Sequence, residues 1–456
     1  MALDNIESKC GVCVAHTLHD AYKILKALQH RGQDAVGIAV KGKYGIDILR
    51  WQGLVEDFSL SDAGKILHGD LFIGHVRYST TKGKKNSDLF RGAHPRFIGG
   101  NKNIMLSHEI IRGASTAMVQ NGNLVGVSYG EDEIDTDVML KFYAENDIER
   151  TMKEFPAAYA SAILDIRKDE ALVFKDKYGI RPLWVGEKDG RIVAASEDIA
   201  ISDIGGNPIR EVNAGEVIYI SKDGIDILKE QIIEPDPKPC FFELNYLQSP
   251  RSSLGGRSIL NLRKDLGKEV ALEFKPDADF VSYIPHTPES MARGYGDERG
   301  IPFIDVFYKQ KMKRSFLEPT KKQRAKSIGT NLFVLDNIDL KGKRIVICDD
   351  SVVRLNNAPD AARKLKERGV EYLALVVGTP PVGPIIKGEK RGCLYGIDMP
   401  PDDDFAIRRY KDLSGITKAS GFDEVYFISD GAMERAHRVP LEKMCTYCIG
   451  GPNPIS

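Results

Sequence analysis

The cysteines are the residues with the clearest capacity for chemistry in this chain of 456 residues. There are seven: Cys10, Cys13, Cys240, Cys348, Cys393, Cys445 and Cys448. Residues 1–9 (MALDNIESK) carry two acids and no apolar stretch, so they do not resemble a secretion signal. An odd number of cysteines in a long chain without such a signal argues against a disulfide framework. Thiolate chemistry or metal binding is favoured, and because both need reduced thiols we expect a cytoplasmic protein.

Cys10 is the first candidate nucleophile. It precedes Gly11 at the start of the apolar run GVCVA, where an isolated cysteine is ordinarily only a packed residue. A thiolate is nevertheless a strong nucleophile when a nearby amine takes the thiol proton. An α-amino group, with a reference pKa of about 7.7–8.0, can be that base if Cys10 is the N-terminal residue.

A series of short motifs follows Cys10 in a fixed order. They are residues 28–34 (LQHRGQD), 74–80 (GHVRYST), 121–124 (NGNL), 135–137 (DTD), 181–183 (RPL) and 195–197 (ASE). As an ordered set they resemble the class II glutamine amidotransferases, the N-terminal-nucleophile family. The resemblance implies an αββα sandwich, removal of residues 1–9 as a propeptide, and hydrolysis of glutamine at Cys10.

The resemblance also implies a role for each matching residue. Asn121, by its side chain, and Gly122, by its backbone N–H, would form the oxyanion hole, where one lost donor typically costs about 10²–10³ in rate. Arg77 would bind the α-carboxylate of glutamine and Asp135 its α-ammonium, with Thr80 also in the glutamine site. Two departures lie beside these residues: 92–95 reads GAHP where the family often has NAQP, and Gln120 stands where histidine commonly precedes NGN.

Two adjacent acids, Asp349 and Asp350, are the strongest chemical signal in the second half of the chain. They end the apolar run RIVIC and precede Ser351, which opens a turn into a predicted helix. Carboxylates at the end of a strand can hold a ribose diol or a hydrated Mg²⁺, and the N–H groups of a helix N-terminus can bind phosphate. An acidic helix-capping turn is the simpler alternative for these residues taken alone.

Motifs spread over the second half resemble the glutamine phosphoribosylpyrophosphate amidotransferases, which catalyse the first step of purine synthesis. They are residues 240–243 (CFFE), 318–320 (EPT), 342–344 (GKR), 379–381 (TPP), 393–398 (CLYGID) and 445–448 (CTYC). The resemblance implies transfer of ammonia to 5-phosphoribosyl 1-diphosphate with Mg²⁺, giving 5-phosphoribosylamine, glutamate and diphosphate. The acceptor residues would be Asp349, Asp350, Ser351 and Arg354, and the flexible-loop cations Lys309, Lys311, Lys313 and Arg314.

The departures from that family are concentrated at the acceptor site. Arg354 is followed by Leu355-Asn356-Asn357 instead of Gly-Thr-Thr, and 284–288 reads IPHTP instead of VPDSG. Glycine lets a backbone approach phosphate, whereas Leu355 adds bulk. Two alternatives to the full reaction therefore remain: a glutaminase with a changed acceptor, and a regulatory homologue that transfers nothing.

Four of the cysteines match family positions that bind an iron–sulfur cluster in some members. They are Cys240, Cys393, Cys445 and Cys448. The resemblance implies a 4Fe–4S cluster with a structural role, and sensing of oxygen is the alternative role. Four thiolates also suit zinc, and four free thiols remain a third reading.

The elements that must position these residues change character near the middle of the chain. Short apolar runs separated by turns predict strands in the first half, with helices over 21–29 and 137–146. The proline-rich residues 234–239 (EPDPKP) mark a boundary, after which strands alternate with helices as in parallel βαβ units, including strands at 302–307 and 343–351. We expect a propeptide at 1–9, a glutaminase domain at 10–235 and a phosphoribosyltransferase-type α/β domain at 236–456.

The overall composition excludes some partners. Lys and Arg number 64 and Asp and Glu 65, so a net charge of −1 gives no general attraction to nucleic acid or anionic membranes. No apolar run approaches the ~18–20 residues of a membrane span. We expect glutamine and 5-phosphoribosyl 1-diphosphate as substrates, with no nucleic acid and no membrane. The family resemblance implies a homo-oligomer, a dimer or a tetramer.

Overall fold

The computed structural model describes residues 10–78, 90–131, 133–221, 228–309, 332–397 and 399–455. Four predicted site residues lie outside these ranges: Thr80, Lys311, Lys313 and Arg314.

The first half contains a long antiparallel sheet. Its strands are β1 Gly11–Ala15, β2 Ala35–Gly42, β3 Gly45–Gln52, β4 Phe72–Arg77, β5 Arg96–Ile104, β6 His108–Asn123, β7 Ala158–Asp165, β8 Glu170–Lys175, β9 Trp184–Lys188, β10 Arg191–Ala195, β11 Asn207–Glu211, β12 Glu216–Ser221 and β13 Leu228–Gln231. The strand order is β11-β9-β10-β1-β4-β2-β3-β6-β7-β8-β12-β13, and β5 pairs with β6. The catalytic candidates therefore lie on central strands.

The sheet folds back so that its two parts face each other. Strand β1 contacts β7 although several strands separate them in the sheet order. Val12 and Ile73 from one part pack with Ala162 and Val173 from the other in a single buried cluster. Such face-to-face burial of alternate residues is how two sheet layers form a core.

Helices cover both outer faces of this sandwich. They are α1 Leu18–Ala27, α2 Leu60–Gly64, α3 Asp135–Glu145, α4 Ile148–Glu154 and α5 Asp198–Ser202. Leu25 of α1 packs on one outer face, with Cys13 and Val36. Met139 of α3 packs on the other outer face, with Phe174. The expected αββα arrangement is confirmed.

The described part of the second half contains ten strands, of which four form a parallel sheet and the others form three two-stranded sheets. Its strands are β14 Ser253–Leu254, β15 Arg257–Ser258, β16 Phe280–Tyr283, β17 Phe307–Lys309, β18 Leu332–Val334, β19 Arg344–Asp349, β20 Tyr372–Val377, β21 Ile385–Ile386, β22 Glu389–Lys390 and β23 Glu424–Phe427. Its helices are α6 Ile259–Glu273, α7 Glu289–Arg299, α8 Ala358–Glu367, α9 Ala406–Arg409, α10 Leu413–Ser420 and α11 Asp430–His437. Strands β16, β19, β20 and β23 lie side by side in that order and are parallel, as predicted.

Short helical turns complete the chain. The 3-10 turns are Gln29–Arg31, Val55–Asp57, Leu441–Lys443 and Tyr447–Ile449, and Glu243–Leu247 forms a π-helical turn directly after Cys240. In the described part of the chain no helix has the length and apolar character needed to cross a membrane.

Two element predictions need adjustment. The helix predicted at 21–29 begins at Leu18, because the Thr17 hydroxyl accepts a hydrogen bond from the backbone N–H of Asp20 and caps the helix there. The strand predicted at 302–307 is wrong in extent. Only Phe303 forms a bridge, to Val281, and Phe307 begins β17, which pairs with β18 in a separate ladder.

Candidate functional site

Cys10 lies directly before β1, a central strand of the antiparallel sheet. Gly11 is opposite Val76 in the antiparallel register, which brings Cys10 next to Arg77 at the end of β4. The carbonyl oxygen of Cys10 accepts a hydrogen bond from Arg31 Nε at 3.0 Å. The predicted nucleophile is thus positioned by the pairing of β1 with β4 and by the Arg31 guanidinium.

The surroundings of the Cys10 thiol keep it protonated. Burial raises the pKa of the Cys10 thiol, and this outweighs the opposing effects of the Tyr78 backbone and the guanidinium groups of Arg77, Arg181 and Arg31. A thiol of this kind needs a separate base to become a nucleophile.

Asn121 and Gly122, the predicted oxyanion-hole residues, lie near the end of strand β6. Gly122 has φ of 149°, and a Cβ there would lie 1.9 Å from the Ala158 carbonyl oxygen, so only glycine fits. Asn121 is buried, and its Oδ1 accepts from Arg181 Nε at 3.2 Å and Nη2 at 3.1 Å. Its Nδ2 donor has no partner among the described residues. A buried, unused N–H group is unusual and marks a place for an incoming acceptor.

Arg77 and Asp135 are both held in place beside this centre. Arg77 Nη1 donates to the Arg91 carbonyl oxygen at 2.8 Å. A Cβ at Gly92, one of the departures from the family pattern, would lie 2.5 Å from Arg77 Nη2, so this glycine packs closely against the Arg77 guanidinium. Asp135 accepts from the backbone N–H of Leu124 at 2.9 Å, next to the oxyanion strand, and burial raises its pKa.

His94, a second departure from the family pattern, is one member of a buried histidine pair. His75 and His94 stack with ring centroids 4.3 Å apart, and burial lowers the pKa of both, that of His75 to about 3. His94 Nε2 lies 3.2 Å from Thr136 Oγ1, beside Asp135. Gln120 Nε2 lies 3.5 Å from the Asp135 carboxylate. His94 and Gln120 are therefore uncharged residues that pack next to Thr136 and Asp135 of the predicted glutamine site.

The sequence analysis missed a buried charge network under Cys10. Arg31 donates to Glu197 at 2.6 Å and to Glu243 at 2.7 Å, and Arg181 pairs with Glu243 at 2.8 Å. Burial alone would raise the pKa of Glu197, but His30 and Arg31 outweigh it and hold that pKa far below its usual value. The available signal was the charge of these residues inside the motifs LQHRGQD, RPL, ASE and CFFE.

The structure brings the four predicted metal-binding cysteines together. Cys240, Cys393, Cys445 and Cys448 line one pocket with Arg181 and Tyr395 among its other walls. Backbone N–H groups of Tyr395 and Ile397 lie 3.4 and 3.3 Å from the Cys393 sulfur. In the described ranges no three His, Cys, Asp or Glu side chains converge as for a single metal ion.

Burial sets the charge state of these thiols. It raises the pKa of Cys240 to about 12, and it raises those of Cys445 and Cys448 well above the usual value, with neighbouring thiols adding to the effect. They would lose their protons only to a bound cation or cluster.

The predicted acceptor residues meet at the carboxyl end of the parallel sheet. Asp349 ends β19, and burial together with neighbouring Asp350 raises its pKa, opposed by the Lys309 ammonium. Lys309 Nζ lies 3.4 Å from the Pro285 carbonyl oxygen, and Ser351 Oγ donates to Asp350 at 2.9 Å. Two acids, one cation and one hydroxyl therefore face the same edge, as expected for a diol and diphosphate site.

The turn after Ser351 departs from an open phosphate loop. Leu355 has φ of 58°, a left-handed conformation that is costly for a residue with a side chain, and it is buried against Val352 and Ala358. Arg354 pairs with Asp402 at 3.5 Å. The predicted acceptor arginine is therefore already engaged, and the turn is closed by an apolar side chain.

Comparisons with known proteins agree with this arrangement. A family model described as a glutamine amidotransferase domain matches residues 125–203. An amidophosphoribosyltransferase of Mycobacterium bovis is 30% identical over 461 residues, covering 95% of this chain and 83% of the relative.

Two solved structures match almost the whole chain. One, described as the allosteric regulatory enzyme of purine biosynthesis, has a TM-score of 0.83 and 26% identity, covering 98% of this chain and 96% of its own. The other is the glutamine phosphoribosylpyrophosphate amidotransferase of B. subtilis complexed with ADP and GMP, with a TM-score of 0.82, 25% identity, and coverage of 98% and 97%. The chain belongs to the amidophosphoribosyltransferase family.

Proposed function

We propose that this protein hydrolyses glutamine at Cys10 and transfers the ammonia to C1 of 5-phosphoribosyl 1-diphosphate. The products are 5-phosphoribosylamine, glutamate and diphosphate, the first committed step of purine synthesis. The observation that carries the proposal is the buried Nδ2 donor of Asn121, which has no partner among the described residues and lies near the end of strand β6 in a chain of this family.

The first half carries out the hydrolysis. Once residues 1–9 are removed, the α-amino group of Cys10 takes the thiol proton, and the thiolate attacks the side-chain amide carbon of glutamine. Asn121 Nδ2 and the Gly122 N–H stabilise the oxyanion, ammonia leaves, and water hydrolyses the thioester to release glutamate. Arg77 binds the substrate carboxylate in this scheme, Asp135 binds its ammonium, and Thr80 completes the site.

The second half presents the acceptor. Asp349 and Asp350 face the ribose diol, Lys309 faces the diphosphate, and Ser351 and Arg354 border the phosphate loop, to which the loop cations Lys311, Lys313 and Arg314 add charge. Mg²⁺, held mainly by the diphosphate and the diol, would neutralise charge on the leaving group. Ammonia must reach C1 without meeting bulk water, so closure over the acceptor is part of the proposal.

The four-cysteine pocket is assigned to a 4Fe–4S cluster. Its support is the family membership and the four thiols that line one pocket. Four thiolates suit a 4Fe–4S cluster, and zinc is the alternative occupant. The cluster would join Cys240, at the boundary between the halves, to Cys445 and Cys448 near the end of the chain.

The remaining expectations belong to the same proposal. They are a propeptide at 1–9, domains at 10–235 and 236–456, action in the cytoplasm, and a homo-oligomer. The antiparallel sheet ends at Gln231 and the parallel sheet begins at Phe280, which supports the division near residue 235.

A glutaminase with a different acceptor is the second candidate. The buried, left-handed Leu355 at the phosphate turn is the observation that favours it. A single assay separates the two. Anaerobically purified, processed protein is given glutamine with and without 5-phosphoribosyl 1-diphosphate and Mg²⁺, and glutamate and diphosphate are both measured. Release of glutamate and diphosphate in equal amounts, with each requiring the other substrate, supports the proposal. Glutamate release that is unchanged by 5-phosphoribosyl 1-diphosphate favours the changed acceptor.

A further inference from the structure

The oxyanion-hole amide of Asn121 is oriented by a residue that does not touch substrate. Both contacts to Asn121 Oδ1 come from the Arg181 guanidinium, which has donors and no acceptor. An amide rotated by 180° would place its NH₂ group against those donors and leave the carbonyl oxygen facing the developing oxyanion. Arg181 therefore determines which end of the amide faces the site beside Cys10.

Arg181 is itself held by the second half of the chain. Its Nη2 pairs with Glu243 Oε1 at 2.8 Å, and both side chains are buried. The same carboxylate oxygen accepts from Arg31 at 2.7 Å, and Arg31 Nε donates to the Cys10 carbonyl oxygen. One carboxylate thus supports both the nucleophile and the oxyanion hole.

The segment that carries Glu243 is firmly anchored. The residue begins the π-helical turn after Cys240. In that turn Asn245 Nδ2 donates to the Gly378 carbonyl oxygen at 3.0 Å, and Arg263 Nε donates to the Leu244 carbonyl oxygen at 3.0 Å. A Cβ on Gly396, also in the second half, would lie 3.1 Å from Gly122 Cα, so that half also presses against the oxyanion strand directly.

We propose that Glu243 is a positioning residue for glutamine hydrolysis, which it serves by holding Arg181 so that the Asn121 amide presents Nδ2 to the oxyanion. The inference rests on the proposed function of Cys10 and Asn121. The oxyanion hole of the first half is then complete only when the second half is docked.

The test uses the full-length processed protein with two variants, Glu243→Gln and Arg181→Lys. The first removes the charge that fixes Arg181, and the second keeps a cation but loses the two-pronged contact with Asn121. We expect kcat for glutamine hydrolysis to fall about 10- to 100-fold. The upper value equals the smallest effect that is typical for the loss of one oxyanion-hole donor. KM for glutamine should change less than about 3-fold, since Arg77 and Asp135 are intact.

Alkylation of Cys10 by iodoacetamide separates positioning from general damage. This displacement occurs at a saturated carbon and forms no oxyanion, and Arg31 beside Cys10 keeps Glu197 as a second partner, so both variants should react at about the wild-type rate. Glu216→Gln is the matched control, because Glu216 of β12 is a buried carboxylate that pairs with Arg210 of β11 and is not one of the predicted site residues.

Each outcome has a definite meaning. Loss of kcat with unchanged alkylation in folded Glu243→Gln, and full activity in the control, supports the role of Glu243. Wild-type kcat in the variants, or parallel loss of kcat and alkylation, overturns it while leaving the proposed function standing. A processed wild type that hydrolyses no glutamine overturns the proposed function and this inference together.

Discussion

Asn123 of the first half donates a hydrogen bond from Nδ2 to the carbonyl oxygen of Leu394 in the second half, at 2.9 Å. Asn123 ends the strand that carries Asn121 and Gly122, and Leu394 follows Cys393 of the four-cysteine pocket. This hydrogen bond joins the four-cysteine pocket to strand β6, so a structural change in the pocket should alter the position of the strand, and the reverse.

Replacing Cys393 with alanine should release the bound cluster and slow glutamine hydrolysis. With the sulfur gone, the Leu394 segment loses its anchor, and we expect kcat to fall about 10-fold, equivalent to ~1.4 kcal/mol of transition-state stabilisation. Iron and acid-labile sulfide per chain, measured on anaerobic protein beside glutaminase kcat, check this. Cys348→Ala is the control, since Cys348 is buried in β19 away from the pocket. Wild-type protein without iron or sulfide would refute the assignment.

Cys10→Ala should abolish glutamine-dependent activity and leave ammonia-dependent activity. The acceptor site lies on a separate sheet and does not need the thiol when free ammonia is supplied. Intact mass should also show that the active wild type begins at Cys10. If the variant still releases glutamate, or if active protein retains residues 1–9, the N-terminal-nucleophile mechanism is wrong.

The rate of glutamine hydrolysis should fall as the pH drops below about 8. Burial raises the pKa of the Cys10 thiol, so it holds its proton at neutral pH and needs the α-amino base. That base is lost when protonated, below a reference pKa of about 7.7–8.0. We expect kcat/KM to drop about tenfold per pH unit below that value. A flat profile down to pH 6 would mean that another base, or a preformed thiolate, is used.

Much of this site was readable from the sequence, and the remainder was not. Cys10, Asn121, Gly122 and the four pocket cysteines stand in local motifs, and in the structure the four cysteines line one pocket. Contacts between motifs carry no local signature. Arg31 meets Glu243 across 212 positions of sequence, and only the packing of the two halves makes that contact. The strand predicted at 302–307 also failed, because its apolar pattern is shared between two different ladders.

Leu355→Gly should improve binding of the phosphorylated acceptor. The substitution removes the strain of a left-handed side chain and lets the backbone approach a phosphate. Leu355→Ala is the matched control, since it loses the same buried contacts but keeps the strain. KM for 5-phosphoribosyl 1-diphosphate should be lower in the glycine variant than in the alanine variant. Equal values, both poorer than wild type, would indicate that the leucine itself shapes a different acceptor.

Acid should destabilise the protein through His437. Burial and the neighbouring Arg257 lower the pKa of His437 to about 4, from a usual value near 6.5. The unfolded chain binds a proton at His437 near pH 6.5, whereas the folded protein binds it only near pH 4. Protonation therefore favours the unfolded state, and the free energy of unfolding decreases as the pH falls from 6.5 toward 4. The loss amounts to about 3 kcal/mol at full protonation. Denaturant unfolding of wild type and His437→Leu across pH 7 to 4 checks this, and identical slopes for both would contradict it.

The most direct measurement of the central claim follows the amide nitrogen. Processed protein is supplied with glutamine labelled with ¹⁵N at the amide, 5-phosphoribosyl 1-diphosphate, Mg²⁺ and an excess of unlabelled ammonium, and the amine product is trapped and analysed by mass. Internal transfer from Cys10 to the acceptor predicts a product enriched in ¹⁵N well beyond the mixed pool. A product with the same ¹⁵N content as the free ammonium in solution would contradict internal transfer. Formation of glutamate without any phosphoribosylamine would contradict it as well.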